Sequence, residues 1–455
     1  MGTSTEKANK SLSGMLGFTA VWLGQMISVL STNMSGFALT IWAFEKTGSA
    51  TVLGLMQVFF ITPFLILSPV AGVMVDRYNR KLMMMVSDMV AVLATGAILA
   101  LSALGRLEIW HLFVAAAVQG LGNTFQWPAY SAAISTMIPK EHYGRANGMM
   151  SLIDAGPGVI SPLLAGALLP FIHLTGILTI DVVTFFIALG ALLIVFVPQP
   201  QQTMEGVAGR GNLWQESIFG FKYIFARPSL LGLQMVFFFG NLFAGIAGTL
   251  FAPMILSRTA NNSVVLGSVQ SAAAIAGVLG GVLMSAWGGF KRRVHGVLLG
   301  WLLSGLSGTV LLGLGRSLPV WIPAALLFGI FTPLVNASNQ AIWQAKVAPD
   351  VQGRVFSARR LIAWFTNPIS PIIAGTLADF VLEPAMKTQT GLSNLFGGLF
   401  GTGPGAGMGL LISFCGLAAG LVGLSGYFIP VIRDAERILP DHDQLQKAVP
   451  EPAAD

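Results

Sequence analysis

Charge is what this 455-residue sequence has least of. Asp, Glu, Lys and Arg make up 10% of it, against about 25% in soluble domains. The few charges are clustered, so runs such as Thr47–Val75, Thr259–Phe290 and Thr388–Ile432 contain none. A soluble core needs no runs of that length, whereas a membrane helix needs about 20 apolar residues. Twelve such helices fit. Cysteine is almost absent too: Cys415 is alone, which excludes an intrachain disulfide. There is no His-Glu-x-x-His, no Gly-x-Ser-x-Gly and no Gly-x-x-x-x-Gly-Lys. A zinc protease, an elbow-type serine hydrolase and ATP hydrolysis are thereby excluded. The expectation is a protein that is not an enzyme and carries no metal or organic cofactor.

The bases fix an orientation. With the N-terminus inside and twelve crossings, the outside receives only Lys46, Arg106, Arg258, Arg316 and Lys387. Lys7, Lys10, Arg210, Arg359, Arg360 and the other bases fall inside, so both termini are expected in the cytoplasm. The net charge of +6 then reports orientation and contact with anionic lipid, not nucleic-acid binding. The first helix is too long for a signal-peptide core and no small-residue cleavage pattern follows it.

The chain also repeats. Gly144-Arg145 aligns with Gly353-Arg354, Leu152-Ile153 with Leu361-Ile362, and Ile160-Ser161-Pro162 with Ile369-Ser370-Pro371, without a gap. Ten of the 25 positions from 144 to 168 are identical. Two parallel six-helix halves follow. The expected boundaries are an N-terminal tail over 1–15, a bundle over 16–197, a linker over 198–228, a second bundle over 229–432 and a tail over 433–455. Within the linker, Leu213-Trp214, Ile218, Phe221 and Ile224-Phe225 recur at helical spacing and predict an interfacial amphipathic helix.

One charged reversal stands between two apolar helices: Gly72, then Asp76-Arg77, then Arg80-Lys81. This run resembles the helix 2–3 signature of the major facilitator superfamily. Trp127-Pro128-Ala129, Pro139-x-Glu141-x-x-Gly144-Arg145 and Gly353-Arg354-Val355-Phe356-Ser357 are similar to the macrolide-efflux-like and enterobactin-exporter-like branch of its drug:proton antiporters. Three departures stand out. Ala116 occupies the place of an arginine, Ile160-Ser161 replaces trailing glycines, and Lys291-Arg292-Arg293 lacks a preceding acid.

The resemblance implies an all-α membrane protein of twelve helices in two pseudo-symmetric bundles, in the bacterial cytoplasmic membrane. It implies a monomeric secondary transporter that exports a bulky amphiphile, drug-like or siderophore-like, with the proton gradient as energy source and membrane lipid as surroundings. A lipid or lysophospholipid transporter of the same fold is the alternative. The superfamily's facing elements make Asp76 a partner for the first amides of the eleventh helix. Gly72, Asp76, Arg77, Arg80 and Lys81 would form a latch there, the bases holding Asp76, Asp88 or lipid phosphates.

An acid deep in a span costs several kcal/mol and needs a reason. Asp88, Asp154 and Asp181 are the candidates for proton coupling. Asp154, about 13 Å beyond Arg145 and before Gly156-Pro157-Gly158, comes first, with bonding to Ser or Thr of a neighbouring helix as the alternative. Structural pairing is favoured for Asp181, and for Asp88 membership of the charged reversal. The resemblance places a cavity among Gln25 and Asn33; Asn123, Gln126, Trp127 and Tyr130; Gln234 and Asn241; Asn336, Asn339 and Trp343. These are neutral polar and aromatic groups, suited to an amphiphile held by stacking and a few hydrogen bonds.

Overall fold

In hydrocarbon a backbone can satisfy its N–H and C=O groups only within itself, so charge-free runs become helices. The computed structural model describes residues 13–47, 50–200, 211–260, 262–388 and 391–447. Lys7, Lys10 and Arg210, and with them most of the predicted tail over 1–15, lie outside these residues. The helices are α1 (Gly14–Thr47), α2 (Ala50–Arg77), α3 (Arg80–Ala103), α4 (Ile109–Met137), α5 (Tyr143–Ile194), α6 (Leu213–Phe225), α7 (Pro228–Arg258) and α8 (Ser263–Trp287). There follow α9 (Arg293–Leu303), α10 (Val310–Leu314), α11 (Leu318–Lys346), α12 (Gln352–Trp364), α13 (Thr366–Leu377), α14 (Glu383–Lys387), α15 (Gly391–Phe400) and α16 (Ala406–Phe428). A π-helical turn at Ser304–Thr309 carries α9 into α10, and another at Ala378–Leu382 joins α13 to α14.

Among the described residues, ten stretches are long and apolar enough to cross a membrane. One of them, Lys140–Ile194, has 55 residues and would measure about 80 Å as one helix, far beyond a bilayer core of about 30 Å. It breaks at His173, where φ is 56°, and is two spans. Helix α4 has 29 residues and is a span by length, although Gln119, Asn123 and Gln126 dilute its apolar character. Split at His173 and with α4 counted, the described helices make twelve spans. Large apolar side chains such as Leu93, Leu163, Phe171 and Phe380 stand exposed on them, as lipid-facing surfaces require.

The chain forms two compact units. The first holds residues 1–143, 160–220 and 348–357; the second holds 144–159, 221–347 and 358–455. The first is centred on Met34 and Ala38 of α1, Ile98 of α3, Leu112 of α4, and Ile177 and Leu178 of α5. The second has cores around Met254, Val269, Trp321 and Ile412 and around Leu233, Val297, Trp301 and Val335, with a smaller one at Met386, Phe400, Ala406 and Leu410. The repeat shows in this division, since the first turns of α5 and of α12 each group away from the rest of their span. The amphipathic segment of the linker is the helix α6, and the long loop before α16 contains the short helix α15.

Helices of membrane proteins approach closely where small residues face each other. A Cβ on Gly120 of α4 would stand 1.9 Å from the carbonyl oxygen of Phe60 on α2, so backbone would have to move. A Cβ on Gly96 of α3 meets nothing within 4 Å. Gly120→Ala is therefore expected to destabilise by about 1–3 kcal/mol, the usual overpacking range, and to lower the melting temperature of the purified protein. Gly96→Ala, which gains helix propensity, should not lower it.

Candidate functional site

The charged reversal is held through helix ends. Helix α12 starts at Gln352, so the amides of Gly353 and Arg354 have no partner within the helix. Both donate to Asp76, Gly353 N to Oδ1 at 2.6 Å and Arg354 N to Oδ2 at 2.9 Å. The Arg354 Nε adds a third bond at 3.1 Å. Free amides and helix dipole both favour an anion there. Gly72 permits the approach: its Cβ would stand 2.5 Å from the Gly353 carbonyl oxygen.

The three bases go elsewhere. Arg80 is fully buried and donates to the carbonyls of Ala132, at 2.7 Å, and Pro349, acting on Asp76 only through its charge. Lys81 Nζ donates to Leu193 and Val195 carbonyls at 2.9 and 2.8 Å, at the C-terminal end of α5. Arg77 takes Glu216 of α6 in a two-pronged bond of 2.7 and 3.1 Å and adds the Gly211 carbonyl at 2.9 Å. Phe219 of the same helix lies under the Arg354 guanidinium, 4.6 Å from it. Asp88 is not a member of this group.

Three carboxylates inside spans meet three environments. Asp88 on α3 accepts from Gln25 Nε2 of α1 at 2.9 Å and Gln126 Nε2 of α4 at 2.8 Å. Asp181 is buried and accepts from hydroxyls: Thr32 at 2.8 Å, Ser31 at 3.1 Å and Thr95 at 3.5 Å. Asp154 on α5 is exposed, and the charge of Arg360 acts on it.

The neutral residues divide likewise. Gln25, Gln126 and the buried Tyr130 gather around Asp88. Asn33 is exposed and donates to the Val29 carbonyl of its own helix; Asn123 and Asn336 are exposed, and Trp127 and Asn241 are half-buried. In the second unit Gln234 donates to the Arg359 carbonyl at 3.2 Å. Asn339 accepts from the indole N–H of Trp343 at 3.1 Å, so that fully buried indole is spent inside α11. A cavity of about 440 Å³ beside Trp42, Glu45 and Lys46 lies at the far end of α1 and includes none of the three acids.

Arg359 and Arg360 are the residues that sequence reasoning misplaced. Both are buried within α12 rather than in a loop. Arg359 donates to Gln340 and stands 5.2 Å from the Trp343 ring, and Arg360 stands 4.3 Å from Trp364. The second unit therefore contains fixed positive charge beside its neutral polar groups. The repeat could have revealed them: they align with Met150 and Ser151, well inside α5.

The family model of the Major Facilitator Superfamily matches residues 21–371. Macrolide efflux protein A of Streptococcus pyogenes is 26% identical over 80% of this chain and 90% of its own length. The enterobactin exporter EntS of Shigella flexneri is 25% identical over 74% of this chain and 79% of its own. The crystal structure of FucP in the outward conformation superposes with a TM-score of 0.66 at 11% identity, covering 90% of this chain and 98% of that one. At that identity it speaks for the fold alone.

The Glu216–Arg77 bond carries a pH dependence whose sign is fixed. Burial, the largest single influence, pushes the Glu216 carboxyl up, but the Arg77 bond, the Gly211 amide and the charges of Arg77 and Arg354 outweigh it and hold it below the ordinary 4.5. A carboxylate depressed in the docked state stabilises docking above its undocked value and loses that effect as pH falls through the docked one. Spin labels on the exposed Tyr78 and Gln215, in protein with Cys415 replaced by Ser, should keep a short distance at pH 7. They should separate as pH drops below 4.5. Glu216→Gln should remove this pH step.

Proposed function

The chain belongs to the Major Facilitator Superfamily, and from that premise we propose that it exports a bulky amphiphilic small molecule from the cytoplasm in exchange for protons. The bundles over 16–197 and 229–432 are the bodies that alternate access, in the bacterial cytoplasmic membrane with both termini inside. The observation that carries this reading is the acid set: Asp88, Asp154 and Asp181 are kept inside spans at several kcal/mol each, with different partners for each. Similarity to proteins named for macrolide efflux and enterobactin export supports a large amphiphilic cargo. The absent Walker motif agrees with ion coupling.

Asp154 is the coupling acid in this proposal. Ionised, it is drawn to Arg360; protonated, it releases that guanidinium, so one proton changes the charge balance of a single helix pair. Asp76 closes the cytoplasmic side. Its bonds to the first turn of α12 exist in the closed state and must be given up when that side opens.

In proteoliposomes with a pH gradient, substrate export should acidify the compartment it leaves, and Asp154→Asn should abolish that pH change. Transport indifferent both to the gradient and to Asp154→Asn would refute proton coupling. For the closure, Asp76→Asn should raise the reactivity of cysteines placed on the cytoplasmic halves of the helices by several-fold. An unchanged labelling pattern would reduce the reversal to a topology signal.

A further inference from the structure

We propose that the Asp88 niche of the first unit binds the protonated amine of the cargo, so that the exported amphiphile is a cation. The inference rests on the transport reading and deepens it to a substrate class.

The three span acids differ in how their charge is matched. Asp181 has three hydroxyl donors. Asp154 has the positive charge of Arg360. Asp88 has only the neutral amides of Gln25 and Gln126, and among the described residues no cation pairs with it or acts on its charge. Neutral donors orient a carboxylate but leave its full negative charge in an apolar bundle, where an unmatched ion is costly.

Beside that charge, two polar atoms are buried without a hydrogen-bond partner: the hydroxyl of Tyr130 and Oε1 of Gln126. Tyr130 is 4% exposed and within the electrostatic reach of Asp88. Buried polar atoms left without partners are uncommon and call for an explanation. Three kinds of oxygen therefore belong to this niche: a carboxylate, an amide carbonyl and a phenol. All three can accept, and the group that uses them together is an N–H-bearing cation. The fully buried Phe18 ring stands 6.2 Å from that of Tyr130 and backs it. Asp88 and Gln126 are half-buried while Gln126 Oε1 and the Tyr130 hydroxyl are covered, so a guest enters at Asp88 and uses the other two oxygens by turning side chains aside.

Propranolol, a secondary amine charged at pH 7, and its neutral N-acetyl derivative form a matched pair of probes. Ligand-dependent melting of the purified full-length protein reads their affinities. Propranolol should bind the parent protein more tightly than the acetylated form. Asp88→Asn should weaken propranolol about tenfold or more and leave the acetylated form unchanged, while Asp88→Glu retains the preference. Should Asp88→Asn fail to fold, Tyr130→Phe decides: it should weaken propranolol about threefold and spare the neutral probe. Equal affinity of both probes, or propranolol binding untouched by these substitutions, would overturn the proposal. Because the measurement contains no transport step, charge-selective binding without export would refute the exporter reading and leave the niche standing. Export with charge-blind binding would do the reverse.

Discussion

A charge inside this chain has to find its partner in the protein, because hydrocarbon offers none. The charged reversal obeys that constraint with helix ends. Its acid, Asp76, sits on the first amides of α12, where the dipole is positive. Its lysine, Lys81, sits on the last carbonyls of α5, where the dipole is negative. Arg80 reaches the Ala132 and Pro349 carbonyls. Arg258, in the other unit, takes the carbonyls of Gly313, Gly315 and Phe400 in the same manner. The run thus caps two helix termini, the start of α12 and the end of α5.

The second half repeats the backbone of this arrangement without its charge. Gly353 rests on the Gly72 carbonyl at the end of α2, and its repeat partner Gly144 would place a Cβ 1.8 Å from the Gly288 carbonyl just beyond α8. Close approach is preserved in both units. The acid is not: at the offset of the repeat, Ser285 and Ala286 stand where the first half has Asp76-Arg77. One contact therefore rests on packing and the other on packing plus three charge-assisted bonds. A duplicated scaffold has become two unequal joints.

The fold was legible because its cause is compositional. Charge-free runs longer than a soluble helix needs leave one solution, and at His173 a long helical stretch parts into two spans. The amphipathic spacing around Ile218 and Phe221 likewise announces α6. What stayed hidden depends on rotation about helix axes. Nothing in the sequence says that Asp88 turns toward Gln25 and Gln126 rather than toward Arg77 and Arg80, because the choice depends on which way α3 faces. Counting bases by side of the membrane placed Arg359 and Arg360 in a loop, since such a count has no depth. Glu216 falls between the apolar positions of the linker, and only the docking of α6 makes it the partner of Arg77.

The two acids of the first unit share their supports. Gln126 of α4 holds Asp88, while Gln119, seven residues earlier on the same helix, donates to Thr95, which bonds Asp181. On α1, Gln25 serves Asp88, and Ser31 and Thr32 serve Asp181. Seven residues are two turns, or about 10 Å, so the sites are separate yet built on the same two helix faces. Hydrogen bonds weaken steeply with misalignment. A slide or rotation of α1 against α4 that disturbs one network therefore disturbs the other. Coupling between the two acids thus needs no contact between them. Asp154, in the other unit and acted on by the charge of Arg360 rather than by neutral donors, lies outside that arrangement.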